Sequence, residues 1–407
     1  MNRTFLSLWV IGALSSVTRW LELLATSIVA FDLTGSALQV ALLTLVRMAP
    51  LTLFGVPMGA IAERVDRRLM FTIALVVMVF CSLCIAILVR NDQLQLWHLA
   101  LAAFMSGCLW VFDFAVRRPM IGESVAPASL GRAMGLDTIS NNGTRMIGPL
   151  LGGSLLQLVG LDGAYILAAI VYILCVCAVL SLPEGDQYRP KSRNSMLNEV
   201  REGISVVRQD RLLKALLAVT ITYNLFGFPM ISMVPVIGRD SFQLEPAMVG
   251  MLASAEGAGA LVGGALIAAG IGVGMANLRR CYFYGLSLNL VAAFAFALLI
   301  APLSAGLALF IAGIGAAGFS SMQTTLLVLN TPNRFRARVM GLLSVCIGTA
   351  LIGFLQIGLL AKFLSAEVAI AVSAIAGVAS LIAIWVSWPE ILDVQVIPMD
   401  NDVRSDS

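Results

Sequence analysis

Six ionisable side chains interrupt stretches that are otherwise apolar: Arg19, Glu22, Arg47, Asp113, Arg145 and Glu256. A charge at bilayer depth costs several kcal/mol on insertion scales, so such residues persist where they pair, carry a proton or meet a ligand. Arg19 and Glu22 are three apart and share one helix face. At 1.5 Å of rise per residue, Arg19 and Arg145 each lie roughly 21 Å from the start of their segments, Glu22 and Arg47 lie roughly 15 Å from the opposite side, and Asp113 is nearer the first side. These heights permit a cluster of three positive and two negative groups, whose excess positive charge suits an anion. The competing expectation is a set of structural ion pairs, and it is the stronger one for Arg145 and Asp113. Glu256 stands among Ala255, Gly257, Ala258 and Gly259 with no arginine near it in sequence. A carboxyl group desolvated without a cationic partner is a candidate proton carrier. Tyr223 and Asn224, with Phe226, Phe228, Asn289, Gln323 and Gln356, supply polar or aromatic groups suited to the wall of a binding site.

Other chemistries find little support. His98 is the lone histidine, and none of the seven cysteines has zinc-ligand spacing with partner histidines. The cysteines all fall in apolar runs and are expected to be small apolar fillers without disulfides. No metal and no cofactor is expected. A membrane-embedded enzyme would need a nucleophile–base pair or a metal cluster, and His98 alone offers neither.

The elements that must position these groups follow from composition. Of the 407 residues, 59% are hydrophobic and 12% charged, against about 25% charged in a soluble domain. A chain this apolar needs lipid as its solvent. Twelve segments are long and apolar enough to span, at about 5–31, 36–60, 69–90, 97–121, 131–158, 163–182, 211–238, 246–270, 279–300, 303–329, 336–360 and 365–388. The expected fold is therefore an all-α membrane protein of twelve transmembrane helices in two six-helix halves. The halves are 1–182 and 211–390, joined by a polar linker at 183–210 and followed by a tail at 391–407. Part of the linker has helical spacing and is compatible with a helix lying on the membrane surface. With the N-terminus in the cytoplasm, 20 Lys and Arg fall on the cytoplasmic side and 3 outside, so both termini are expected to be cytoplasmic. The first apolar run is expected to be a retained helix and not a cleaved signal.

The two halves also share a repeat. Gly131-Arg132-Ala133-Met134-Gly135-Leu136 matches Ala337-Arg338-Val339-Met340-Gly341-Leu342 at an offset of 206 residues. Both copies open a segment on the same side, which is the arrangement of a parallel repeat.

Three motifs resemble the major facilitator superfamily. The first runs from Gly59 through Glu63, Arg64, Asp66, Arg67 and Arg68 after the second segment, with Asp66 where that family usually has Gly. In the resemblance it is a latch: Gly59 allows close approach, Glu63 faces a helix N-terminus of the other half, and the arginines meet acids or lipid phosphates. The second, Gly135, Thr144, Gly148, Pro149, Gly152 and Gly153, is similar to the packing motif of the superfamily's antiporters, with Thr144 for one Gly. The third set is Leu33 to Ser36, Phe112-Asp113 with Arg117-Arg118, Asn142 with Arg145, and Arg338 to Gly341. It resembles the efflux branch that includes the bacterial enterobactin exporter. The resemblance implies a secondary transporter of the bacterial inner (plasma) membrane, a proton-coupled antiporter exporting a small anionic or amphipathic molecule, siderophore or drug-like. Its partners would be that substrate, protons and membrane lipids, with no nucleic acid, and the chain is expected to be a monomer. A lipid or lysolipid flippase of the same fold is the alternative, and a channel is disfavoured by the two-half architecture.

Overall fold

The computed structural model describes residues 3–62, 65–126, 129–182, 205–270, 277–332 and 335–393, apart from the side chains at 56, 57, 59, 60, 62 and 337. The described residues form helices and connections, with no strand among them. In hydrocarbon every backbone N–H and C=O must be satisfied within its own segment, and the helix does this.

The helices are α1 (Arg3–Thr34), α2 (Ala37–Ala62), α3 (Arg67–Arg90), α4 (Leu96–Glu123), α5 (130–159), α6 (161–180), α7 (Arg211–Asp240), α8 (Pro246–Ala268), α9 (Leu278–Leu298), α10 (Pro302–Leu329), α11 (Arg336–Gly348 continued by Ala350–Phe363) and α12 (Ala366–Ser387). The 51 residues from Leu130 to Leu180 run on through hydrogen bonding, but at 1.5 Å per residue they would be about 76 Å long, twice what a bilayer needs. Gly160 divides them, with φ of 74° in the left-handed region that glycine tolerates. The twelve expected segments are thus present, each within a few residues of its expected bounds.

Local chemistry sets several ends. The Asp66 carboxylate caps α3, accepting from the N–H groups of Arg68 and Leu69 at 2.7 and 3.2 Å. This gives the departure from Gly at that motif position a physical role. Asp210 caps α7 in the same way through Leu213. His98, the lone histidine, accepts the Gln95 N–H at 3.0 Å and so helps start α4. All seven cysteines are free thiols.

We call the end bearing Arg3 the near end and the other the far end. The halves meet along two seams, α5 against α8 and α2 against α11. Advancing each member of the first seam by six helices converts it into the second, as a parallel two-fold repeat requires. The α5–α8 seam is backbone on backbone: Gly153 lies against Gly250, and Gly257 lies against the Arg145–Met146 peptide. A side chain at Gly257 would collide with that peptide. On the other side of α5, Gly148 and Gly152 receive Trp20 and Leu21 of α1.

Closure is uneven. At the far end Arg239 of α7 pairs with Asp32 of α1 at 3.0 Å, and the Ala247 N–H donates to Gln157 at 3.1 Å. Gly358 of α11 packs on Leu38 and Ala41 of α2. At the near end, Gly131 and Gly135 of α5 and Gly341 of α11 face open space. Among the described residues the halves are closed together at the far end and parted at the near end.

Candidate functional site

Two groups of charges occupy the middle of the bundle. The first is inside the N-terminal half. Arg19, Glu22 and Arg47 are 5%, 2% and 5% exposed. Glu22 Oε2 accepts from the Tyr172 hydroxyl at 3.2 Å and from Ser106 at 3.3 Å, and Arg47 approaches it to 3.9 Å. Arg47 also donates to the backbone oxygen of Arg19 at 2.6 Å. The shared helix face of Arg19 and Glu22 does not become an ion pair: Glu22 turns to α2, α4 and α6, while Arg19 turns to α4. The Arg19 guanidinium lies 5.6 Å from the centre of the Trp110 ring and donates no hydrogen bond among the described residues, its Nη1 being buried without a partner. Arg19, Trp20, Leu23, Arg47, Ser106 and Trp110 surround a small recess there. A buried guanidinium nitrogen left without a hydrogen-bond partner is costly, and it is the feature that most calls for a ligand.

The second group joins the halves. Arg145 Nη2 donates to both carboxylate oxygens of Glu256, at 2.7 and 2.8 Å, with side chains 16% and 13% exposed. The expectation of an isolated Glu256 is overturned. Its partner is 111 residues away in sequence and is brought to it by the close approach of α5 and α8 at Gly257. Arg145 also lies 5.4 Å from the Trp20 ring centre, and Trp20 meets Trp110 edge-on at 6.2 Å. A continuous path of charge and aromatic contacts therefore runs from Glu256 through Arg145, Trp20 and Trp110 to Arg19.

Beside the ion pair is a cavity of about 30 Å³ whose lining includes Arg145, Tyr223, Phe228, Glu256 and Asn289. That is room for about one water. Arg145 Nε and Asn289 Oδ1 are buried there without partners. Tyr223 is on this wall and stacks on Phe319 at 4.2 Å. Asn224 is not: its amide donates back to the Thr220 carbonyl at 2.9 Å on its own helix.

Asp113 and Arg117 form a third group nearer the near end. A π-helical turn spans Asp113–Arg117, a distortion frequent at functional positions. Arg117 donates to Asp113 and, at 2.7 Å, to Asp137 of α5, and Arg118 lies 3.4 Å from Asp137. Arg117 is 3% exposed, a buried member of this ion-pair group. Two acids balance two arginines here, and Gly12 leaves the space the Arg117 guanidinium fills.

Of the latch motif, Glu63 and Arg64 lie outside the described residues, and Gly59 falls within α2. Arg67 donates to Glu123 at 2.7 Å and Arg68 to the Leu180 carbonyl, both within the N-terminal half. Arg338 lies over the Phe335 ring. In the packing motif, Thr144 bonds Ser16 at 2.9 Å, Pro149 meets Gly250 through its carbonyl, and Asn142 reaches towards Gly264 across the seam. The sequence reading missed Trp20, Ser106, Trp110, Asp137 and Tyr172. Only Asp137 carried a usable signal, being one more acid in an apolar helix.

A profile of the Major Facilitator Superfamily matches residues 8–354. Macrolide efflux protein A of Streptococcus pyogenes is 25% identical over 268 residues, 65% of each chain, so the alignment spans just under two thirds of that relative. The uncharacterized MFS-type transporter YfiS of Bacillus subtilis is 25% identical over 75% of this chain and 70% of its own. Multidrug resistance protein MdtG of Enterobacter lignolyticus is 24% identical over 69% of this chain and 66% of its own. Among solved structures, a bacterial homologue of the lysosomal transporter Spinster, inward-facing and occupied, superposes with a TM-score of 0.73 at 16% identity, covering 95% of this chain and 96% of its own. A POT family transporter in complex with 5-aminolevulinic acid gives 0.72 at 14% identity, over 94% of this chain and 96% of its own. With the profile spanning most of the chain and the twelve-helix fold shared with these structures, this multi-pass membrane protein belongs to the major facilitator superfamily of transporters.

Proposed function

We propose that this chain is a secondary active exporter that trades protons for a small anionic or amphipathic molecule by alternating access. The observation that carries the reading is the Arg145–Glu256 ion pair, which ties one half to the other at mid-height. An inter-half ion pair with an acid member couples a proton to a conformation: protonating Glu256 cancels the charge that holds Arg145, and the seam is freed to part. Deprotonation restores the tie. Glu22, with three protein contacts and one carboxylate oxygen buried without a partner, is the second candidate for the proton.

Export rather than uptake is supported by the relatives named for macrolide efflux and multidrug resistance. The anionic character of the substrate is supported by Arg19, whose guanidinium has a buried Nη1 without a hydrogen-bond partner, and the aromatic wall of Trp20 and Trp110 suits a ring-bearing molecule, siderophore or drug-like. With the near end on the cytoplasmic side of a bacterial inner membrane, the arrangement described is the one that loads substrate from inside.

The test is gradient-driven transport in proteoliposomes, with an acidic and a neutral aromatic substrate of similar size. Glu256→Gln should abolish dependence on the pH gradient while retaining substrate binding and gradient-free exchange. Arg19→Gln should weaken binding of the acidic substrate at least tenfold and leave the neutral one within about twofold, since one charge-assisted contact is at stake. Retained gradient dependence in both Glu256→Gln and Glu22→Gln would remove proton antiport, and equal losses for the two substrates in Arg19→Gln would remove the anion site.

A further inference from the structure

On the outer side of the C-terminal half, α8 and α9 each pack closely on α10 but make little contact with each other. Glycines bring both down onto α10: Gly263 lies against Ile314 and Ala317, and Gly285 against Gly315 and Phe319. The result is a crevice of about 460 Å³ floored by α10, within the range of ligand-holding pockets. Its body is apolar, with Leu266, Ile267, Tyr284, Leu288 and Ile314 on the walls, and Arg280 with Asn277 at the near-end mouth. No acidic residue lines it among the described residues.

The mouth carries available charge. Arg280 is exposed and donates from Nε to the Leu392 carbonyl at 3.0 Å, which fixes the guanidinium and leaves its two terminal nitrogens without a partner among the described residues. The neighbouring Arg279 is committed elsewhere, to the Glu390 carbonyl and to Asn330. A fixed guanidinium whose two terminal nitrogens are free presents an edge that takes a phosphate or carboxylate in bidentate fashion. An apolar slot running from such a group along the membrane-spanning part of three helices matches a lipid tail beneath its head group, and basic pockets between spanning helices are a known setting for anionic lipids.

We propose that this crevice is a binding site for one anionic phospholipid, with an acyl chain between α8 and α9 and its phosphate on Arg280. The site is separate from the Arg19 and Arg145 groups and does not depend on the transport reading. A soluble phosphate could meet Arg280 but would leave the apolar slot unfilled.

The test is native mass spectrometry of the full chain released from detergent after incubation with phosphatidylglycerol, phosphatidylethanolamine or glycerol 3-phosphate. The parent should retain one phosphatidylglycerol, roughly tenfold more than phosphatidylethanolamine, the effect of one charge-assisted contact. Arg280→Gln should lower phosphatidylglycerol retention to the phosphatidylethanolamine level, and Cys281→Trp, which fills the crevice beside Arg280, should lower both. Lys362→Gln, which removes a cation at the far end, should change neither. Equal retention of the two lipids by the parent, or undiminished phosphatidylglycerol in Arg280→Gln, overturns the proposal. So does competition by glycerol 3-phosphate at the same concentration as the lipid, which would make the site a simple anion site.

Discussion

Replacing Glu256 with Gln keeps its shape and removes its charge, so it isolates what the inter-half ion pair does. Arg145 Nη2 contacts both carboxylate oxygens at 2.7 and 2.8 Å. Removing one partner of a fully buried pair costs roughly 3–5 kcal/mol. Here both side chains keep some exposure and the Trp20 ring stays beneath Arg145, so about 2 kcal/mol is the better figure, in the range for a hydrogen bond to a charged group. At 1.4 kcal/mol per factor of ten, that moves the balance away from the near-end-open arrangement about 30-fold. Spin labels at Gly135→Cys and Gly341→Cys, in a version without native cysteines, would report it, because both positions face open space on opposite halves. Their separation should shorten in Glu256→Gln and in Arg145→Gln. Because the two residues act as one contact, the double variant should resemble either single variant and not their sum. An unchanged distance distribution in both single variants, or strictly additive shifts, would refute the coupling.

The far-end pair should behave differently. Asp32 and Arg239 are 40% and 27% exposed, so Asp32→Asn should loosen far-end closure by no more than about 1 kcal/mol, read as up to fivefold faster thiol labelling of Ile28→Cys, a position buried against Val249 of the other half. Asp66→Ala should lower thermal stability by the loss of a helix cap, about 0.5–2 kcal/mol, while Asp66→Gly should recover most of it; equal stability of Asp66→Ala and the parent would deny the cap. Cysteines at Asn91 and Val125 should label from opposite sides of the membrane, Asn91 from outside, and labelling of both from one side would contradict the two-ended topology.

The helices were legible because length and hydropathy demand them, and the parallel repeat was legible because Arg132 to Leu136 and Arg338 to Leu342 keep register. Pairing was not. Glu256 reads as isolated along the chain because its arginine is on another helix of the other half, and nothing local marks the approach of Gly257 to the Arg145 peptide. Arg117 reads as a loop anchor because counting residues gives depth along a helix but not the direction a side chain takes. Arg118 beside it is the more exposed of the two. Asp66 reads as a damaged latch glycine until its contacts with Arg68 and Leu69 show it capping α3. Tyr172 and Ser106, which hold Glu22, carry no signal at all, since buried tyrosines and serines in membrane helices are mostly packing.

The charges sort by whether they are balanced. Asp113 and Asp137 offset Arg117 and Arg118, Glu256 offsets Arg145, and Glu22 offsets Arg47. Arg19 makes no ion pair within 4 Å among the described residues and keeps Nη1 without a partner, at a depth where an arginine costs roughly 2.5–3.5 kcal/mol even by the lenient insertion scales. Structural ion pairs need no such residue, because an apolar side chain would fill its place at lower cost. An anion that comes and goes is the occupant we propose for it. Its position supports the same reading: the path through Trp110 and Trp20 leads from Arg19 to the one ion pair that spans both halves at mid-height. An anion arriving at Arg19 and a proton arriving at Glu256 would each change the charge on one end of that path, which is what linked binding of substrate and proton requires.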